Sequence, residues 1–175
     1  MTSEAKMTSE VKMTCPCGSE KTYAECCEPV IKGERQAVTA EELMRARYTA
    51  HTHAEMDFLF ESLHPEHRDE NDRDGSKDWA ENSEWHGLDI VEVIDGGEDD
   101  DHGSVEFIAN YTYNGDLARY HEVATFDKLD GVWHFTEGEP GVNKPVVREE
   151  PKIGRNDPCV CGSGKSIRSV AGGNL

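Results

Sequence analysis

Four cysteines crowd into thirteen positions near the start of the chain: Cys15-x-Cys17, eight further residues, then Cys26-Cys27. Neither pair can close a relaxed disulfide within itself, because bridged residues need Cα atoms about 5.5 Å apart in a specific torsion. Together the four thiolates make a soft tetrahedral set of the kind that zinc takes, with ferrous iron as the alternative. To meet at one point the intervening segment must fold back on itself. Gly18 and Ser19 supply a turn, and Lys21–Glu25 supplies one helical turn to carry the second pair. The competing readings are unliganded thiols on a flexible arm and a redox centre. Four thiolates sharing one ion would leave the redox reading no free nucleophile.

The rest of the 175 residues bounds the setting for that cluster. The length suits one ordinary domain plus small appendages. The apolar residues gather between about 37 and 136, so the core is expected there. A net charge of −18 repels nucleic-acid phosphates and argues against direct, charge-driven binding to them. The acid excess, densest at Glu98-Asp99-Asp100-Asp101, fits a salt-adapted (halophilic) cytoplasmic protein as well as a merely acidic one. Asp99-Asp100-Asp101 lacks the alternating spacing of a calcium loop and reads as a solvated hairpin tip. No apolar run approaches the roughly 20 residues that cross a bilayer, and residues 1–12 have no signal-peptide core. A cytoplasmic location without membrane insertion is therefore expected, where thiols stay reduced and clustered cysteines point to metal.

Along the chain, Thr39-Ala40-Glu41-Glu42 has the capping-box pattern that opens a helix. Met56, Leu59, Phe60 and Leu63 mark a second helix that ends at Pro65. The polar stretch 66–83 reads as a loop with a short helix around Lys77–Glu81. Four strands follow, at Trp85–Ile94, Ser104–Tyr113, Leu117–Leu129 and Val132–Thr136, punctuated by the hairpin signals Asn114-Gly115 and Asp130-Gly131. Helices first and an antiparallel meander afterwards make an α+β fold.

The residues CPCGS…YAECC resemble a SEC-C motif, the zinc-binding tail of the SecA translocation motor. The whole chain resembles the YchJ family. Leu43–Tyr48, Trp85-His86-Gly87-Leu88, Val105-Glu106-Phe107, His121-Glu122, Gly131-Val132-Trp133 and the late Gly154–Cys159 carry that likeness. The resemblance implies an NTF2-like cone, N-terminal helices packed on a curved antiparallel sheet with a pocket. It also implies metal bound by Cys15, Cys17, Cys26 and Cys27, and with the second motif degraded, as shown below, one ion per chain is expected. The resulting division is a tail at 1–12, a SEC-C motif at 13–30, an NTF2-like domain at 35–139, a linker at 140–155 and a second SEC-C motif at 156–175. By analogy with SecA's tail, which binds the export chaperone SecB, the resemblance suggests a protein partner in export or quality control.

The second motif is degraded. Cys159-x-Cys161 has Val170-Ala171 where two more soft ligands belong, leaving a half-site. Ser166–Ala171 and the usual Lys-Tyr-Lys-Lys-Cys-Cys can be written with the same nucleotides one base apart. Ser166–Leu175 is therefore expected to be a frameshifted tail, natural or a sequencing error.

Within the domain, His121 and Glu122 are the candidates for a general base, in a strand expected to face the cone's interior with Tyr111, Tyr113 and Trp133. A buried polar pair bonded to neighbouring backbone is the plainer reading, since no nucleophile or second carboxylate is visible beside it. The chain thus reads as a metal-stabilised interaction module before an enzyme or small-ligand binder. A purely structural metal site is the third possibility.

Overall fold

The computed structural model describes residues 13–142. The half-site Cys159/Cys161, the expected tail and nearly all of the expected linker lie outside the described residues.

Thr39 opens the main helix, α2 (Ala40–Thr52), in the expected way: its side chain accepts from the Glu42 backbone N–H at 3.1 Å. Glu42 reaches back to the N–H of Val38 at 2.6 Å, one residue further out than a capping box requires. A short helix, α1 (Glu28–Ile31), precedes α2; α3 (Met56–Glu61) and α4 (Arg73–Asn82) follow it. Helix α4 is twice as long as the expected stretch around Lys77–Glu81. It starts where the Asp72 side chain accepts from the Gly75 N–H at 3.0 Å.

The four strands form one antiparallel meander in the order β1 (Ser83–Asp95), β2 (His102–Tyr113), β3 (Asp116–Leu129), β4 (Val132–Pro140). Asn114 and Gly115 both take positive φ, 51° and 87°, as a two-residue hairpin turn demands. Strand β4 runs past the expected Thr136, pairing Gly138, Glu139 and Pro140 with Ala124, Val123 and Glu122. An edge strand tolerates the proline, which needs no ladder N–H on its open side.

Side-chain alternation sends Val105, Phe107 and Ala109 of β2, with Ala124 and Phe126 of β3, to one face. Helix α2 lies on that face and buries Leu43, Met44, Ala46 and Tyr48 against it. Gly96 fixes how closely the helix approaches: its carbonyl accepts from Ala40 N–H at 2.9 Å, its φ is +76°, and a Cβ there would stand 2.7 Å from that of Ala40. After α3 the chain returns to the sheet, where Phe135 N–H donates to Ser62 O at 2.8 Å and His64 N–H to Phe135 O at 2.7 Å. These contacts close one end of the cone over α2.

Candidate metal centre

Pro16 sits second in a tight turn whose Gly18 N–H donates to Cys15 O at 3.3 Å, so Cys15 and Cys17 face one side of a knuckle. Gly18 closes that turn, so the expected Gly18-Ser19 lies within the reversal between the bridged Thr14 and Thr22. The chain then pairs back on itself, Cys15 N–H to Lys21 O at 2.8 Å and Tyr23 N–H to Met13 O at 3.1 Å. A single 3₁₀ turn, Tyr23–Glu25, brings in the second cysteine pair, with Cys27 as the N-cap of α1.

The four Sγ atoms lie within 4.8 Å of one another, with Cys17 to Cys26 at 3.6 Å and Cys26 to Cys27 at 3.8 Å. A tetrahedral zinc site with bonds of about 2.3 Å has edges of about 3.8 Å. The sulfurs therefore stand at ligand spacing and well beyond the roughly 2.05 Å of a disulfide. Four soft donors gathered this closely, with three of the four side chains buried, fit a divalent soft cation.

Three of the thiols hold their protons unequally. Hydrogen bonds from Cys15 and then Cys27 hold Cys17 far below the ordinary thiol range. Cys27 is pushed far up, first by its bond to Cys15 and then by that to Cys17, and burial pushes Cys26 up. One thiolate is favoured there at the expense of its neighbours, and a dication is what permits four in so small a space.

A second layer of groups surrounds the sulfurs. Ser19 Oγ lies 3.0 Å from Cys26 Sγ, and Thr49 Oγ1, fully buried on α2, lies 3.7 Å from Cys15 Sγ. Arg45 of α2 donates to Cys17 O at 2.7 Å, and Arg35 donates to Cys26 O at 3.2 Å. Arg45 also pairs with Glu41 at 2.9 Å and Arg35 with Glu42 at 2.6 Å, so both guanidiniums brace the knuckle's backbone as members of ion pairs. Cys15, Cys17, Cys27 and Val30 join the same apolar cluster as Leu43, Tyr48, Leu88 and Phe107. The knuckle is thus packed into the domain's core, and α2 serves both. Arg35, Arg45 and Thr49 escape the sequence reading, because no motif links them to the cysteines.

The structure separates the two catalytic candidates. Adjacent strand residues point to opposite faces, so only Glu122 looks into the cone, where Tyr120 OH donates to it. His121 lies on the other face with Nε2 2.9 Å from Glu106 Oε1. The expectation that both face the interior fails for this reason. Trp133 does not reach the pocket either; it is buried beside α2, its Nε1–H donating to Val38 O at 3.0 Å. The pocket instead holds Arg47, His51 and Trp79, which the sequence reading did not single out. Arg47 and His51 carried a signal: they fall at i and i+4 on the stripe of α2 that also holds Leu43, Met44 and Tyr48.

Comparison with known proteins agrees with this architecture. The profile for "YchJ, middle NTF2-like domain" matches residues 39–138, and that for the SEC-C motif matches residues 14–29. A UPF0225 protein of Geobacter sulfurreducens is 50% identical over 90% of this chain and 97% of its own length. One from Vibrio vulnificus is 37% identical over 91% and 98%. The solution structure of a SEC-C motif containing protein from Rhodopseudomonas palustris superimposes with a TM-score of 0.68 at 38% identity, covering 74% of this chain and 100% of that one. The crystal structure of a SEC-C motif containing protein from Psychrobacter arcticus gives 0.63 at 28% identity, over 91% and 96%.

Proposed function

Because the chain belongs to the UPF0225 family, with a YchJ-type NTF2-like domain and a SEC-C motif, we propose that it is a cytoplasmic zinc-binding protein-interaction module. Ferrous iron is the alternative ion. The ligands are Cys15, Cys17, Cys26 and Cys27, and one ion is held per chain. The observation that carries this reading is the gathering of the four sulfurs within 4.8 Å of one another in a knuckle packed into the domain's core. When bound, the ion gives the knuckle a fixed shape.

The knuckle's inner side is buried while Glu20, Lys21, Ala24 and Glu25 stand exposed, which leaves a small rigid outer face for a protein partner. Export or chaperone machinery supplies the partner class by analogy alone. No helix among the described residues is long and apolar enough to cross a membrane, and nothing in the reading requires one. The test is affinity capture with immobilised full-length protein before and after chelation. A specific partner released by chelation and recovered on adding zinc supports the docking role. A partner kept after metal removal reduces the site to a purely structural one.

A further inference from the structure

Between α2 and the sheet, the cone holds a cavity of about 140 Å³. Its walls are aromatic. Trp79 and Trp85 meet edge to face with ring centroids 4.9 Å apart, and Tyr120 stands 5.7 Å from Trp79. An apolar cavity of about 150 Å³ accommodates a benzene-sized molecule, so the occupant is one aromatic ring in size.

Two polar groups from α2 border this space, one without a counter-ion and one without a hydrogen-bond partner among the described residues. Arg47 is only 9% exposed, yet its guanidinium makes no ion pair among the described residues. One nitrogen, Nη1, donates to Leu59 O and to Ser62 Oγ, and the guanidinium carbon lies 4.6 Å from the Phe135 ring centroid. His51 places beside it a buried Nδ1 that has no hydrogen-bond partner among the described residues. A buried cation without a counter-ion is costly, and so is a buried polar nitrogen left unpaired. Such groups are retained where something else completes them.

Glu122 lines the same cavity but does not supply the missing anion. It feels the charge of Arg47 without pairing with it, and it is engaged by Tyr120 OH. Burial also pushes its carboxyl upward, toward the neutral form. An aromatic box beside a carboxylate would otherwise suit a cation. Here the unneutralised guanidinium would repel one.

We propose that the cone binds a small aromatic carboxylate, its ring against the Trp79, Trp85 and Tyr120 wall and its carboxylate on Arg47. The arrangement makes the domain a binder of planar monoanions, independently of what the cysteine knuckle does.

The test titrates the metal-loaded, full-length protein with benzoate, benzamide and benzylammonium, read by tryptophan fluorescence and by melting temperature. Benzoate should bind saturably and at least about tenfold more tightly than either of the others, since the charged pair forms only with it. The Arg47→Gln variant should lose about tenfold for benzoate and little for benzamide. Should that variant fail to fold, Glu122→Gln keeps the test open: exchanging that carboxyl for a neutral amide should leave benzoate binding unchanged or tighter. Equal binding of benzamide, a preference for benzylammonium, no saturable response to benzoate, or loss of benzoate binding in Glu122→Gln each overturns the proposal.

Discussion

Replacing Arg45 with methionine should loosen the knuckle from the domain while leaving every cysteine in place. The side chain reaches from the middle of α2 to Cys17 O at 2.7 Å and pairs with Glu41 at 2.9 Å one helical turn back. A hydrogen bond from a charged donor contributes about 1.5–3 kcal/mol, and the partial exposure of Arg45 argues for the lower end. The Glu41 pair adds only about 0.3–0.5 kcal/mol. The sum is about 2 kcal/mol. For a folded body of about 130 residues, with an unfolding entropy of about 0.27 kcal/mol per kelvin, this lowers the melting temperature by roughly 7 °C. In chelated protein the knuckle has no fixed shape for Arg45 to hold, so only the Glu41 pair is lost and the drop is roughly 2 °C. Differential scanning calorimetry of parent and Arg45→Met, each with zinc and with chelator, closes the cycle and should give a coupling of about 1.5 kcal/mol. An equal drop with and without metal would refute the idea that the ion and α2 hold the knuckle jointly.

Gly96→Ala should cost about 3 kcal/mol in urea unfolding, from a forced left-handed φ and overpacking against Ala40; a loss under about 0.5 kcal/mol would show that the helix approach is soft. Burial, and after it the charge of Arg47, lowers the pKa of His51 from 6.5 to about 3. The unfolded chain therefore binds the extra proton between those values, and stability falls with acid there by on the order of 1.4 kcal/mol per pH unit. His51→Leu should lose about 1.6 kcal/mol less than the parent between pH 6.5 and pH 5, and parallel pH profiles would contradict this. A net charge of −18 predicts that raising potassium chloride from 0.1 M to about 2 M lifts the melting temperature by about 5 °C, whereas a flat response removes the salt-adapted reading.

The α+β order, the antiparallel meander and the cysteine knuckle were legible because each rests on local chemistry. Thr39 and Glu42 bond to their own helix end, Asn114-Gly115 adopts the φ values of a two-residue turn, and the four cysteines need only one short loop to meet. What escaped depends on distance in sequence. Trp79 reaches the cone from a polar segment whose only other apolar residue is Ala80, so α4 shows little of its buried stripe in the sequence. Arg45 and Thr49 touch the knuckle from more than twenty residues away. His121 and Glu122 were grouped because they are neighbours in the chain. The pleat divides them, and the alternation that located the core in β2 separates them in β3. The late extension of β4 was hidden by Gly138 and Pro140, residues that a central strand would exclude and an edge strand admits.

The most direct measurement is the metal content of full-length protein purified without oxygen, by native mass spectrometry and elemental analysis. The account predicts close to one zinc or iron ion per chain, reduced to near zero by Cys17→Ser, which takes out the one fully buried thiol of the four. Protein that is folded yet carries no tightly held ion, or that keeps a full equivalent after Cys17→Ser, would contradict it.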